Sequence, residues 1–245
     1  MIIKASTRMD KDNLAIVGWE EGVSGLVHSF IETYSNFKVK LFIHPFSENL
    51  ELEEDEVMVN RVVKNYSFPQ NGKFKGVKFK CEANWTQLCA EEEIDHVLIA
   101  ISNNKVRQKN IALAKSSNLK LITVIHPSAQ IMPEAVIGVN CILLANSFAG
   151  YRSEICDGVI LNTGASIDHH TFIDECASID PGVVIAGNSS IGKLSKIHTG
   201  SIVINNIRIG SNVIVGAGSL VLEDIQPNVT VYGSPAKIHY RDISL

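Results

Sequence analysis

Residues Ile155–Val203 read ICDGVILNTGASIDHHTFIDECASIDPGVVIAGNSSIGKLSKIHTGSIV, and every sixth residue of that stretch is aliphatic. The rule extends both ways without a slip, from Ile125 through Ile131, Ile137, Leu143 and Ala149 to Ile209, Val215 and Val221. The position four further on is small or β-branched at Cys141, Ser147, Ala165, Thr171, Ser189, Ser195 and Ser201. Neither a helical period of 3.6 nor a strand period of 2 yields a sixfold pattern. A hexapeptide repeat does, and such repeats coil into a parallel β-helix. Three hexads make one triangular turn of about eighteen residues, so seventeen hexads give nearly six turns, a prism roughly 27 Å tall at the spacing of paired strands. Glycines at Gly138, Gly182, Gly192, Gly200 and Gly210 suit its tight corners.

The segment before the repeat has another grammar. Asn13–Gly18, Val39–His44, His96–Ile101 and Leu119–Ile125 are apolar strand-like runs. Helical spacing separates them over Gly22–Phe37, with Leu26, Phe30 and Ile31 on one side, and near Lys105–Lys115. This order predicts a small parallel α/β sheet, and ligands of such sheets sit at the carboxyl ends of strands. Gly18, Gly22, Ser102 and Asn103 are therefore the candidate substrate-binding residues. Acidic Glu48–Glu56 reads as a solvated helix and basic Arg61–Lys80 as a surface loop. The expected organisation is an α/β domain over 1–124, a β-helix over 125–226 and a tail over 227–245 that covers or leaves the last turn.

A chain of 245 residues with a formal net charge of −4 gives no reason to expect nucleic-acid or anionic-membrane binding. Its five cysteines, odd in number and without a C-x-x-C pair, fit reduced thiols. No charged-then-apolar leader and no apolar run of membrane-spanning length is seen, so a cytoplasmic protein is expected.

An apolar prism core leaves chemistry to the outside. Asp168-His169-His170 places a carboxylate and two imidazoles on one corner. Residues eighteen apart stack, so bare Gly187 lies one turn beyond His169. A general base beside an accessible backbone N–H is what acyl transfer needs. Zinc at His169, His170 and His198 is the competing reading, but His198 is not a multiple of eighteen from His169, and zinc needs converging ligands. Cys176 as a covalent acyl carrier is another, though its corner faces a different edge. A non-catalytic prism scaffold is the third.

The segment GVILNTGASIDHHTFIDECASIDPGVVIAG, residues Gly158–Gly187, resembles the hexapeptide acyltransferases of the sialic acid O-acetyltransferase and nucleotide amino-sugar N-acetyltransferase family. Ile99–Lys109 (IAISNNKVRQK), Val124–Ile131 (VIHPSAQI), Ile209–Val221 (IGSNVIVGAGSLV) and Tyr232–Lys237 (YGSPAK) resemble it in the same order. The resemblance implies a Rossmann-like N-terminal domain that binds a sugar nucleotide, followed by a left-handed parallel β-helix. It implies a homotrimer with acetyl-CoA in the groove between neighbouring prisms, and no metal. His169 would be the general base and the Gly187 N–H would hold the thioester oxygen. Thr199 and Ala217 would meet the pantetheine arm, and Lys237 the adenine end. The implied activity is N-acetylation of a nucleotide-linked amino sugar in bacterial glycan synthesis, with sugar O-acetylation as the alternative.

Three features depart from the family. His170 follows the base where bacillosamine-type enzymes have Glu, which makes Asp168 the substitute candidate for orienting it; a neutral His170 could also accept from His169 and would make a weaker base. Ser178 replaces a second His near acetyl-CoA and keeps a hydrogen-bonding hydroxyl. The glycine-rich loop is Gly18-Trp19-Glu20-Glu21-Gly22, longer and more acidic than in the family.

Overall fold

A computed structural model of the chain describes residues 11–19, 21–46, 69 and 71–239. The chain divides into two compact units, Met1–Ile101 with Ala112–Leu121, and Ser102–Ile111 with Ile122–Leu245.

The first unit is built on a six-stranded sheet. Its elements are β1 (Asp12–Val17), α1 (Glu21–Tyr34), β2 (Phe37–His44), β3 (Lys73–Phe74), β4 (Val77–Cys81), α2 (Trp85–Glu91), β5 (His96–Ile99) and β6 (Lys120–Leu121). The spatial order is β3-β4-β2-β1-β5-β6, parallel throughout except where β3 meets β4. Central β1 is apolar without alternation because both of its faces are buried: Leu14, Ala15, Ile16 and Val17 are all inaccessible. The connections leave β1 toward β2 on one side and β5 on the other, so the strand order reverses at the carboxyl ends of β1 and β5.

Several expectations change here. Val27, Phe30 and Ile31 form the buried side of α1, whereas Leu26 is 54% exposed. Part of the basic stretch read as a surface loop is the β3–β4 hairpin, with Phe79 buried and β4 paired to β2. Lysines at Lys73, Lys75, Lys78 and Lys80 masked its short alternation. Helix α2 carries no long period and was not anticipated. Leu119–Ile125 is two strands rather than one: β6 closes this sheet, and Val124–Ile125 opens the repeat. Glu48–Glu56 lies outside the described residues.

The second unit is a left-handed parallel β-helix of seventeen two-residue strands, from Val124–Ile125 to Leu220–Val221. Each strand pairs with the one eighteen residues away, as in Val124↔Ile142↔Ile160↔Ser178↔Lys196↔Ile214. The strands form three faces, the first starting at Val124–Ile125, the second at Gln130–Ile131 and the third at Val136–Ile137. The second residue of each strand points inward, and the columns Leu161, Ile179, Ile197, Val215 and Ile167, Ile185, Val203 are fully buried. At the open first turn, Ile125 and Ile131 keep 38% of their surface.

The small residues of the repeat join successive turns. Ser195 Oγ donates to Gly210 O at 2.7 Å and accepts from Val213 N–H at 3.0 Å. Only a short hydroxyl fits there and satisfies both groups. The tail breaks the eighteen-residue spacing: Ile214 pairs with Thr230, sixteen residues on, in β24 (Thr230–Tyr232). Antiparallel β25 (Lys237–His239) then covers β24.

Residues Ser102–Ile111 belong to this unit and include most of helix α3 (Asn104–Ser116). They cover part of the first face, where Ile142, Ile160 and Ser178 are buried although they point outward from the prism.

Candidate functional site

Every corner of the prism turns on a residue in the left-handed region, from Glu134 (φ 60) and Asn140 (φ 56) to Asn212 (φ 55) and Gly218 (φ 67), six residues apart. Except at Pro133 and Pro181, the residue before it has an N–H that takes no part in the turn-to-turn backbone bonds. Where Asp or Asn precedes that N–H, its side chain caps it. Asn162 Oδ1 caps Thr163 N–H at 2.7 Å, Asp174 Oδ1 caps Glu175 N–H at 2.7 Å, and Asp168 Oδ1 caps His169 N–H at 2.6 Å. At Gly187 the preceding residue is Ala186, which has nothing to cap with. The Gly187 N–H has no acceptor among the described residues, while its neighbours bond normally, Ala186 N to Val203 O and Asn188 N to His169 O, both at 2.9 Å.

His169 lies over this open donor. A methyl group at Gly187 would come within 2.5 Å of Cε1, 2.6 Å of Nε2 and 2.9 Å of Nδ1 of the His169 ring. The glycine is needed there for room, since its φ is not in the left-handed region. The His169 ring is exposed, and its Nδ1 is 3.1 Å from Nδ1 of His170. Asp168, one of the two residues expected to orient the imidazole, thus caps the backbone, while His170 touches the ring. The result is an imidazole with Nε2 free beside an unpaired N–H, able to take a proton while a developing oxyanion is held.

The other sequence candidates scatter. Thr199 and Ala217 are exposed, one turn apart on the corner between the first and second faces. Neither backbone N–H has an acceptor among the described residues. Lys237 is exposed in β25 opposite Tyr232, whose ring stacks on His239 at 3.5 Å. Ser178 is only 3% exposed: its Oγ donates to Asn104 Oδ1 at 2.6 Å and accepts from Arg107 Nη2 at 3.1 Å. That hydroxyl serves the packing of α3 rather than the His169 corner. Gly18 ends β1 at φ 113, where a side chain would strike Ile101 and the Ala100 carbonyl, and Gly22 lies in α1. Trp19 is 9% exposed, edge-on to Phe74 and Phe79 at 4.6 and 4.8 Å, so it packs within the first unit. Asn103 Oδ1 accepts from Val106 N–H at 3.1 Å and caps α3, and the Ser102 carbonyl accepts from Arg107 Nη1 at 3.2 Å.

Two groupings were not foreseen. Arg107, fully buried, also donates to the carbonyls of Gly158 at 2.7 Å and Cys176 at 2.8 Å. His198 Nδ1 meets Asp180 Oδ2 at 2.8 Å. The eighteen-residue column reveals the second, since 180 and 198 share a corner; nothing in the sequence marks Arg107 among the other cations of its helix. The pairing of His198 with Asp180 separates it from His169 and His170, and no group of three His, Cys, Asp or Glu among the described residues could hold a metal. Burial, the dominant effect on the Cys176 thiol, pushes its pKa up, the wrong direction for a nucleophile.

No family model matches the chain. Among solved structures, PerB from Caulobacter crescentus, in complex with CoA and GDP-perosamine, is 25% identical, with a TM-score of 0.78 over 96% of this chain and 100% of that one. The acetyltransferase domain of PglB from Neisseria gonorrhoeae, in complex with acetyl coenzyme A, is 28% identical, with a TM-score of 0.75 over 94% and 100%. WeeI from Acinetobacter baumannii, 19% identical with a TM-score of 0.54 over 94% and 100%, shares the fold. With this likeness along nearly its whole length, the chain is an acyltransferase similar to the hexapeptide-repeat N-acetyltransferases of nucleotide amino sugars.

Proposed function

We propose that the protein transfers the acetyl group of acetyl-CoA to the amine of a nucleotide-linked amino sugar, in one ternary complex and with no metal. The observation that carries this reading is the His169 ring lying over the unpaired N–H of Gly187. It is supported by relatives of the same length and fold that were solved with CoA, GDP-perosamine or acetyl coenzyme A.

The substrate amine attacks the thioester carbonyl as His169 Nε2 takes its proton. The carbonyl oxygen gains negative charge beside the Gly187 N–H. The C–S bond then breaks as the carbonyl re-forms, and His169 passes the proton to the departing thiolate sulfur. Asp168 contributes by fixing the corner that presents His169. Thr199 and Ala217 offer open N–H groups for the amide-bearing arm of CoA, and Lys237 a cation for its nucleotide end.

The assembly is a homotrimer in this reading. The second face supports it, because Val184 and Ile202 point outward from it with 46% and 47% of their surface exposed. That face borders both the His169 corner and the Thr199–Ala217 corner, so a neighbour laid on it brings the two kinds of corner together. No described helix is long and apolar enough to cross a membrane. The five cysteines are free, which suits a reducing compartment such as the cytoplasm.

His169→Ala tests the base: turnover falls by roughly two to four orders of magnitude with the fold retained. Near-normal turnover sinks the assignment. A panel of UDP-, dTDP-, GDP- and CMP-linked amino sugars against free sialic acids identifies the acceptor, and O-acetylation of sialic acid without any N-acetylation overturns the choice of amine. Light scattering of the purified protein tests the trimer.

A further inference from the structure

His170 occupies a costly position. Its φ is 54, in the left-handed region, where most other corners of the prism carry Asn or Gly and four carry Glu134, Arg152, Cys176 and Leu194. A non-glycine residue there is strained, and at this corner the ring also makes a contact. The contact is with the base, Nδ1 to Nδ1 at 3.1 Å, with the two rings at 82°. Hydrogen-bond chemistry allows one arrangement compatible with proton abstraction. If His169 is to accept a proton at Nε2, its own proton must reside on Nδ1, so Nδ1 of His170 must be bare and its proton must sit on Nε2.

The surroundings hold the His170 ring in place. The edge of Tyr151 packs on it at 5.8 Å, and its backbone N–H donates to Tyr151 O at 2.9 Å. Tyr151 OH donates to Glu134 at 2.9 Å, and Arg152 Nε pairs with the same carboxylate at 2.6 Å. Hydrogen bonds from Arg152 and then Tyr151 hold the Glu134 carboxyl below its ordinary range. The groups facing His170 are thus His169 and Asp168 on its own corner and Tyr151, Arg152 and Glu134 on the turns before it.

We propose that His170 is a positioning residue whose neutral ring accepts the Nδ1–H of His169, so that the base works only while both imidazoles are unprotonated. This rests on His169 being the acetyl-transfer base. Protonating His170 removes the acceptor, releases the His169 ring from its tautomer and sets a second cation beside the imidazolium that forms during transfer.

The test is the acid limb of kcat against pH in the full-length protein with saturating acetyl-CoA and amino sugar. In a logarithmic plot the wild-type limb is steeper by about one unit than that of His170→Gln, whose amide oxygen accepts but does not titrate; amine and His169 protonation are common to both. His170→Glu shifts the limb to higher pH, because a carboxylate stabilises the imidazolium. His170→Gly relieves the left-handed strain, so Tm is no lower than in wild type, yet kcat falls roughly ten- to hundredfold, as when an imidazole loses its outer partner. KM for acetyl-CoA stays within about twofold. Equal slopes in wild type and His170→Gln, or normal kcat in His170→Gly, overturn the inference. If His169→Ala is inactive while the His170 variants behave as wild type, only this inference fails; if His169→Ala is active, the acetyl-transfer base itself is wrong.

Discussion

Gly187→Ala isolates geometry from chemistry. The new methyl would lie 2.5 Å from Cε1 and 2.6 Å from Nε2 of His169, against an ordinary carbon contact of about 3.5 Å. The ring must therefore retreat by about 1 Å, which it can do because it is an exposed side chain with room on its outer side. The backbone resists little, since Gly187 is not in the left-handed region and Ala there loses less entropy on folding, by about 0.4–1 kcal/mol. Stability is thus expected to stay level or rise slightly. The base, however, is displaced from the donor it works with, and a 1 Å error in a reacting geometry costs about a hundredfold. The assay is steady-state release of CoA thiol, run beside thermal unfolding of the same preparation. The expected outcome is kcat down by about two orders of magnitude with Tm unchanged within about 3 °C. Wild-type kcat would refute the pairing of His169 with Gly187. A large fall in Tm would show that the ring cannot yield and that the corner is structural.

Arg107→Met removes donors to the buried carbonyls of Gly158 and Cys176, so urea denaturation should report about 2–6 kcal/mol lost at 1–3 kcal/mol for each orphaned acceptor; a loss below about 1 kcal/mol would mean that water replaces the guanidinium. His44, at the end of β2, is pushed down from 6.5 to about 4 by burial, so the folded state takes up a proton less readily than the unfolded chain. Its contribution is present above pH 6.5 and drains away as pH falls toward 4. At about 1.4 kcal/mol per pH unit the full gap is about 3–4 kcal/mol, and residual solvent access brings the expected loss to roughly 2 kcal/mol. His44→Leu should flatten stability over that interval, and an unchanged pH profile counts against burial as the cause.

Sequence by itself determined the prism. A sixfold aliphatic rhythm has one economical solution, and once three hexads make a turn, residue arithmetic fixes neighbours across turns. That is why His169 over Gly187 was legible, and why Asp180 with His198 could have been. The arithmetic works because each contact is between backbone positions whose spacing the repeat sets. It stops where contacts depend on side-chain direction or on segments outside the repeat. The hairpin at Lys73–Cys81 hid its one buried residue, Phe79, among lysines. Strand pairing, not local pattern, split Leu119–Ile125 into the edge of one sheet and the first rung of the next. Composition could not tell Arg107 from Lys105 or Lys109, because burial of a cation depends on the carbonyls it reaches, here those of Gly158 and Cys176 more than fifty residues away. Sequence favoured Asp168 over His170 as the partner of the base. Tertiary geometry separates them: a carboxylate one methylene from the backbone closes on the nearest N–H, whereas the left-handed turn at His170 swings its ring back onto Nδ1 of His169.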